Sequence, residues 1–283
     1  MIGVNNCFSD FILELPKIKE FHKRGDKIHS FLQKCFKNEV NRLFKEDMKE
    51  LLPFGNINFP YYNMGNVDTT NLFDLDEIII FSFYWDSKER YSNVADLGAN
   101  TGLHSLLLSK CGFNVKSYEP DPWHFEILNK NINDNNCDNV ELFNVAVSDK
   151  NGKAEFVKVL GNTMSSHIKG SKPNPYGELE TYEVNLLKFK DIIQWADFIK
   201  MDVEGHETTL LLSTRFEDWN STDAMVEISN KHNAKIVFDY MQKIGVKMYS
   251  QKNHWNEVLD MDDMPETYKD GSLFISINNI PFG

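Results

Sequence analysis

The sequence predicts an α/β fold with a mainly parallel sheet, preceded by a helical segment. Two observations lead to this prediction. From residue 93 onward, short apolar runs alternate with stretches of helical periodicity, which is the pattern of βαβ units. Between residues 16 and 52, apolar side chains recur at three- and four-residue steps, which is typical of amphipathic helices. We therefore expect a helical extension or cap over residues 1–67 and one α/β domain over residues 68–283.

The helical extension comes first along the chain. Its periodicity predicts two helices that are interrupted near Gly25, with lysine and glutamate side chains on the solvent-facing side. Prolines and a glycine then mark a turn-rich stretch over residues 53–60, and residues 74–85 are expected to form a further helix. This part of the chain is therefore expected to be a helical addition to the main domain.

The elements of the α/β domain follow in alternation. Strands are expected at residues 94–97, 115–118, 140–145, 198–201 and 224–228. Helices are expected at residues 103–111, 123–132 and 234–244. Because helices join these strands, right-handed crossovers and parallel neighbours follow. Two late strands, at residues 246–251 and 272–277, have no convincing helix between them, which predicts an antiparallel pair that closes the sheet.

Charge and composition exclude several classes of function. The chain has 283 residues, and 30 Lys and Arg against 42 Asp and Glu give a formal net charge of −12, which argues against non-specific nucleic-acid binding. The apolar runs are far shorter than the ~18 residues of a membrane span, and the early residues do not resemble a signal peptide. The four cysteines are too widely spaced for a zinc pattern. We expect a cytoplasmic protein with no nucleic-acid partner, no membrane partner and no bound metal.

A glycine-containing turn follows the first strand, at the position where open α/β sheets bind ligands. Gly98 and Gly102 lie in it, and Glu119 ends the next strand, where an acid can accept hydrogen bonds from ribose hydroxyls. A dinucleotide site needs a second glycine near the pyrophosphate, where this chain has Asn100. S-adenosylmethionine has no phosphate, and Asp96 suits its ammonium end. The turn therefore favours S-adenosylmethionine over NAD.

A second polar segment follows the strand at residues 198–201. It contains Asp202, Glu204, His206 and Glu207, four titratable groups within six residues, around Gly205. Because this strand and the first are both parallel strands, their carboxyl ends share one edge of the sheet. The alternative is a capping residue followed by an acidic first helical turn, which needs no ligand.

Four segments in this order resemble the FkbM-type methyltransferases. They are D-L-G-A-N-T-G (residues 96–102), Y-E-P-D-P (118–122), N-V-A-V-S-D (144–149) and K-M-D-V-E-G-H-E (200–207). The resemblance covers about residues 68–230. It implies the seven-stranded Rossmann-like sheet of class I methyltransferases, S-adenosylmethionine as the cofactor, and methylation of a hydroxyl on a sugar or another small metabolite.

The resemblance also implies roles for single residues. It implies a methionine-end loop (Asp96, Gly98, Asn100, Gly102), a ribose ligand (Glu119), an adenine wall (Asn144, Ala146) and a rim nearest the transferred methyl (Asp202, Glu204). Asp202 is also expected to touch the cofactor. His206 departs from the family, which often has a small residue at this position.

The identity of the general base stays open among three side chains. Methyl transfer to oxygen requires removal of the hydroxyl proton, and His206 has an ordinary pKa near neutrality. Asp202 or Glu204 could do the same when partly buried. Alternatively, the two carboxylates ligate a divalent cation that polarises the acceptor.

Two other classes of function compete with a methyltransferase. One is an NAD(P)-dependent Rossmann oxidoreductase, and the other is a non-catalytic S-adenosylmethionine-binding interaction domain. The expected partner is a small-molecule or carbohydrate acceptor whose identity the sequence does not specify. The oligomeric state also stays open, with a homodimer as one option.

Overall fold

A computed structural model describes residues 6–44, 48–64, 66–172 and 177–282. The helices are α1 (Asn6–Glu14), α2 (Lys27–Leu43), α3 (Leu75–Asp86), α4 (Leu103–Lys110), α5 (Pro122–Asp134), α6 (Phe189–Ile193), α7 (Glu207–Leu212) and α8 (Lys231–Ile244). Short 3-10 helices lie at Leu15–Phe21, Thr69–Phe73, Thr163–Ser165, Phe216–Trp219, Gln251–Asn253, Met261–Asp263 and Tyr268–Asp270.

The strands form three sheets. A two-stranded hairpin contains β1 (Met48–Glu50) and β2 (Asn56–Asn58). The main sheet contains β3 (Asn93–Leu97), β4 (Asn114–Tyr118), β5 (Val140–Phe143), β10 (Phe198–Met201), β11 (Asp223–Glu227), β12 (Lys247–Ser250), β13 (Asn256–Glu257) and β14 (Ser272–Ser276). The second sheet contains β6 (Ala146–Ser148), β7 (Gly152–Val159), β8 (His167–Ile168) and β9 (Leu179–Lys188).

The main sheet confirms the predicted α/β class. Its order is β5-β4-β3-β10-β11-β14-β12-β13, and the five strands from β5 to β11 are parallel. The late strand β14 lies between β11 and β12 and runs antiparallel to both, as the missing crossover helix predicts. This sheet has eight strands rather than the expected seven, because the two-residue strand β13 pairs with β12 at its edge.

The second sheet was not predicted. Its long strands β7 and β9 form an antiparallel pair that extends from Gly152 opposite Leu186 to Val159 opposite Leu179. Most of their outward side chains are exposed and polar, so the apolar runs by which the other strands were recognised are missing here. Lys158 of β7 donates a hydrogen bond to Asp121 at 3.1 Å, which ties this sheet to the start of α5.

Local sequence signals explain where the helices begin and end. Asp121 accepts hydrogen bonds from the backbone of Trp123 and His124, and a proline occupies the first turn, so α5 begins there. Asp74 caps α3 in the same way, by accepting from the Glu77 backbone at 3.1 Å. Helix α8 ends at Gly245, whose φ of +78° is a left-handed conformation that glycine adopts readily.

The N-terminal helices pack onto α3 and share its core. Ile12, Leu15, Phe36 and Val40 are buried in the same apolar cluster as the side chains of α3. The break between the two predicted helices is present: a 3-10 segment and a turn separate α1 from α2, and Gly25 has a φ of +91°. The extension also includes the hairpin β1–β2, so it is not wholly helical. The proposed boundary at residue 67 stays a prediction.

None of the helices in the described ranges combines the length and the apolar character needed to cross a membrane.

Candidate active site

The carboxyl ends of β3, β4 and β10 meet at one edge of the main sheet and face the second sheet. The space between them, which we call the main cleft, is open to solvent. The main sheet contributes Gly98, Asn100, Tyr118, Glu119, Asp202 and Glu204 to its lining, and the second sheet with its loops contributes Ala146, Phe156, Thr163, Met164, His167 and Ile168. Both predicted polar segments therefore reach the same cleft.

The glycine turn after β3 requires glycine at position 98. Gly98 has a φ of +77°, and a Cβ atom there would lie 1.9 Å from the backbone oxygen of Asp202. The backbone N–H groups of Gly98 and Ala99 both donate to the Tyr118 carbonyl at 3.0 Å. The turn thus lies against the ends of both neighbouring strands, and a side chain would separate them.

Glu119 is the buried acid of the main cleft. Its two carboxylate oxygens accept hydrogen bonds from the backbone of Asn100 and of Asp121, each at 2.8 Å. Only 5% of the residue is exposed, and this burial raises the pKa of Glu119 to about 8 despite the two N–H donors. The carboxylate is therefore held in one orientation and faces the cleft, where it can accept hydroxyl hydrogens of a ligand.

Asn100 lies beside it in a backbone conformation unusual for its type. Its φ is +51°, in the left-handed region, where asparagine is more common than most other non-glycine residues. Its side-chain oxygen is buried and has no hydrogen-bond partner among the residues that the structure describes. A buried acceptor without a partner is costly, and a donor from a bound ligand would relieve that cost.

The predicted adenine wall is only partly at the cleft surface. Ala146 lines the cleft, whereas Asn144 is exposed and donates to the carbonyls of Glu119 and Pro120, at 2.9 and 3.2 Å. Nearby, the rings of Tyr118 and Phe143 stack with centroids 4.9 Å apart. Asn144 therefore braces the loop that carries Glu119, and its contact with a ligand stays a prediction.

Asp96 and Gly102 lie beneath the turn. Asp96 is fully buried, and its Oδ2 accepts a hydrogen bond from Ser105 at 2.6 Å. Gly102, with a φ of +91°, packs against α5, where an added Cβ would lie 2.5 Å from a methyl carbon of Leu128. These positions support the turn from below, and direct contact of either residue with a cofactor stays a prediction.

A second space, which we call the side cavity, adjoins the main cleft. It is open to solvent, and it shares Met164, Asp202 and Glu204 with the main cleft. Arg24 from the N-terminal extension and Lys172 also line it. Its carboxylates are Asp74, Asp76, Glu77, Asp202, Glu204 and Glu227. The acidic segment after β10 thus stands at the junction of the two spaces.

Glu204 is strained and paired at this junction. Its φ is +54°, which costs free energy in a residue other than glycine, and its carboxylate forms an ion pair with Lys172. Burial raises the pKa of Glu204, repulsion from Asp202 adds to this effect, and Lys172 opposes it. A carboxylate in such surroundings holds a proton more readily than a solvated one.

His206 faces away from both spaces. One ring nitrogen lies 3.0 Å from the Ser148 hydroxyl, and the other lies 3.0 Å from the Ser171 hydroxyl. The residue lines a separate groove with Thr208 and Asn233, and burial lowers its pKa. Its role as a general base stays a prediction that this position does not favour.

Two functional candidates were not recognised in the sequence. His124 lines the main cleft, 3.1 Å from the Thr163 hydroxyl, and burial lowers its pKa to about 4, so its ring is neutral at pH 7. Lys200 lies behind Asp202 with only 8% of its surface exposed. The helix-start pattern around Asp121 and the K-M-D-V-E run contain these residues, but neither pattern indicates what they face.

A metal site is not formed by the residues that the structure describes. Among them, no three or more His, Cys, Asp or Glu side chains are arranged to hold a metal ion.

Comparison with solved structures gives distant likenesses. The crystal structure of WbdD is 12% identical over 70% of this chain and 39% of that one, with a TM-score of 0.37, so the chain spans well under half of that protein. A SAM-dependent methyltransferase from Agrobacterium tumefaciens is 11% identical over 71% of this chain and 61% of that one, with a TM-score of 0.37. An O-methyltransferase from Bacillus cereus in complex with SAH is 11% identical over 69% and 78%, with a TM-score of 0.37. No curated protein matches the sequence.

Comparison with family models gives a direct match. The model of the methyltransferase FkbM domain matches residues 96–260, which is more than half of the chain. The match includes the glycine turn, Glu119 and the acidic segment after β10, which meet at the main cleft. The chain therefore belongs to the FkbM methyltransferase family.

Proposed function

We propose that this protein is an S-adenosylmethionine-dependent O-methyltransferase that acts on a hydroxyl of a small molecule or carbohydrate. One observation carries the proposal: the main cleft and the side cavity meet at Asp202 and Glu204. A methyl donor in one space and an acceptor in the other would react at that junction. Such an arrangement holds two reactants in line, which is the main requirement of a displacement reaction.

The residues of the main cleft suit S-adenosylmethionine, which supplies an electrophilic methyl group when it is bound. Glu119 offers a fixed carboxylate to the ribose hydroxyls, and the unpartnered oxygen of Asn100 offers an acceptor to the ammonium group. Ala146 and Tyr118 provide apolar surface for the adenine. Asn100 also occupies the position at which a dinucleotide site has its second glycine, which argues against NAD(P).

The acceptor binds in the side cavity in this proposal. Its carboxylates can accept hydrogen bonds from several hydroxyls, which suits a sugar or another polyhydroxylated molecule. The same carboxylates repel phosphate groups, so a nucleic acid or a phosphorylated acceptor fits poorly. Arg24 and Asp76 form an ion pair at 3.0 Å in the cavity wall, so the N-terminal extension helps to shape the acceptor space.

Glu204 is the side chain that we assign to proton removal. It lines both spaces, and its raised pKa makes the carboxylate a better base than a solvated glutamate. The neighbouring Asp202 repels the negative charge of Glu204 and so strengthens Glu204 as a base. Lys172, paired with Glu204, holds the carboxylate toward the junction.

Calorimetric titration with S-adenosylhomocysteine and with NADH tests the cofactor. Saturable binding of S-adenosylhomocysteine, together with no binding of NADH, is the expected result. Binding of NADH without binding of S-adenosylhomocysteine would contradict the proposal and favour an oxidoreductase.

Transfer of a labelled methyl group from S-adenosylmethionine to a panel of hydroxyl-bearing sugars and small metabolites tests the reaction. NMR of the product distinguishes O-methyl from N-methyl groups. Glu204→Gln and Asp202→Asn should each reduce turnover by about 10²-fold or more while S-adenosylhomocysteine still binds to Glu204→Gln. Cofactor binding without turnover on any acceptor would favour the non-catalytic alternative.

A further inference from the structure

Lys200 is a buried cation in the central strand of the main sheet. It lies on β10, where the strand register places it opposite Asp96 of the neighbouring β3. Only 8% of the residue is exposed, and Asp96 beside it is fully buried. A charged lysine in the middle of a sheet is expensive unless other groups compensate it, so its neighbours need explanation.

The Lys200 ammonium lies between two carboxylates of the proposed site. Its nitrogen is 3.8 Å from Oδ1 of Asp96 and 3.7 Å from Oδ2 of Asp202. The other oxygen of Asp96 accepts from Ser105, whose own hydroxyl accepts from Ser117 at 2.8 Å. One cation thus links the acid below the glycine turn with the acid at the junction of the main cleft and the side cavity.

Other titratable groups lie near Lys200 on the elements around it. Glu77 comes from α3, Glu227 from the end of β11, His104 from α4 and Glu119 from the end of β4, in addition to Asp96 and Asp202. Burial alone would lower the pKa of Lys200, but the attraction of Asp202, Asp96, Glu77 and Glu227 outweighs burial and raises it. The lysine is therefore charged at neutral pH, and its charge lowers the pKa of Glu77 and of Glu119.

We infer that Lys200 is a positioning residue, which holds Asp96 and Asp202 in place and sets a positive charge behind the acidic lining of the main cleft where the cofactor binds. This role rests on the proposed function, since it needs a cofactor that uses Glu119 and the turn above Asp96. Lys200 does not itself have to touch the ligand, because it acts through the two carboxylates that it contacts.

The test compares Lys200→Met with Lys200→Arg by calorimetric titration of S-adenosylhomocysteine from pH 6 to pH 9. Methionine keeps the length of the stem and removes the charge. Because Lys200 holds Asp96 and Asp202 and also lowers the pKa of Glu119, its removal should move the rise of affinity to a higher pH and weaken binding at pH 7 by about tenfold. Lys200→Arg retains the charge and should bind within about threefold of the wild type.

A matched control is Lys116→Met on the adjacent strand β4. Lys116 is partly exposed, its ammonium lies 3.8 Å from Glu141, and it is not among the lining residues of the main cleft. The Lys116→Met substitution should leave the affinity for S-adenosylhomocysteine and its pH profile unchanged. A loss of packing alone would lower affinity at all pH values without shifting the profile, so a uniform loss in Lys200→Met contradicts the inference.

Circular dichroism establishes whether Lys200→Met folds. If it does not, Asp96→Asn combined with Lys200→Met removes both buried charges and should show the same pH shift. Wild-type affinity and pH profile in the folded single or double variant would overturn the role of Lys200 alone. Failure of the wild-type protein to bind S-adenosylhomocysteine at any pH would overturn the proposed function and this role with it.

Discussion

Glu119 is the residue on which cofactor binding should depend most. Glu119→Gln keeps the size of the side chain and removes the carboxyl group that both backbone N–H groups orient and that is ionised above about pH 8. Loss of a hydrogen bond to a charged group costs about 1.5–3 kcal/mol, so the affinity for S-adenosylhomocysteine should fall by about 10- to 100-fold. Calorimetry measures this, with Glu141→Gln on the exposed edge of β5 as the control. Affinity within twofold of the wild type would show that Glu119 is not the ribose ligand.

Gly98 is the residue at which the addition of a single methyl group should lower stability most. Gly98→Ala would place its Cβ against the Asp202 carbonyl in a left-handed backbone conformation. We expect the free energy of unfolding to fall by about 3 kcal/mol or more, since both strain and a backbone displacement contribute. Urea denaturation measures the change.

Gly112→Ala separates these two causes. Gly112 has a similar φ of +93° but no neighbouring atom within 4 Å of an added Cβ, so this variant should lose only about 1 kcal/mol. Equal losses in the two variants would mean that the close approach to Asp202 contributes nothing.

The sequence identified Gly98 and Glu119 because their spacing alone places them at the ends of adjacent strands. It could not identify the role of Lys200, since a lysine inside an apolar run gives no sign of what it faces. Its partner Asp96 is far away along the chain and is brought opposite only by the register of two parallel strands. For His206 the sequence suggested a role that its surroundings do not favour. Its position in the motif suggests a general base, but its ring lies against two serine hydroxyls.

Helix α3 is the element that joins the N-terminal extension to the main sheet. Phe83 of α3 is fully buried, and its ring lies 5.3–5.7 Å from those of Phe198, Phe274 and Phe282. Phe83→Ala should lower the free energy of unfolding by about 3–5 kcal/mol, since it removes the ring and leaves a cavity. Thermal or urea unfolding measures the change. Phe31→Ala on α2, where 64% of the residue is exposed, should stay within about 0.5 kcal/mol of the wild type.

Elements with apolar runs were predictable, and the second sheet was not. The strands of the parallel core are buried on both faces, so their sequences are almost continuously apolar. In β7 and β9 the exposed outward side chains interrupt the apolar run. The pairing of distant residues such as Gly152 and Leu186 also produces no pattern in the local sequence. One wall of the main cleft therefore could not be foreseen, although the wall formed by the main sheet could.

At the scale of the whole molecule, the extension and the late part of the chain meet. Trp255 donates a hydrogen bond to His22 at 2.9 Å, and Gln251 donates both to the His22 carbonyl and to Asp76 in the side cavity, at 2.9 and 2.7 Å. Contacts between residues 175 or more positions apart are not visible in periodicity. The helices of the extension could therefore be predicted, but its contact with the side cavity is visible only in the structure.

The many buried carboxylates should make the stability of the free protein depend on pH. Burial raises the pKa of Glu119 to about 8 and that of Asp74 and Glu77 to about 7, all above the values of the unfolded chain. The folded state therefore binds more protons, and stability falls as pH rises through these values. Below pH 6.5 the buried histidines His22 and His104, whose pKa values are lowered by burial, act in the opposite direction.

The window from pH 6.5 to pH 8 favours the carboxylates, because the histidines of the unfolded chain titrate only near its lower limit, whereas the buried carboxylates titrate throughout it. Over this window we expect the free energy of unfolding to decrease with rising pH by a total of the order of 2 kcal/mol. Urea denaturation at several pH values measures the slope, and Glu119→Gln should flatten it because glutamine does not titrate. A flat or rising wild-type profile in this window would mean that these carboxylates are already ionised at pH 6.5. In that case a saturating concentration of S-adenosylhomocysteine should raise stability equally at both ends of the window, whereas a titrating Glu119 makes its stabilisation larger at pH 8.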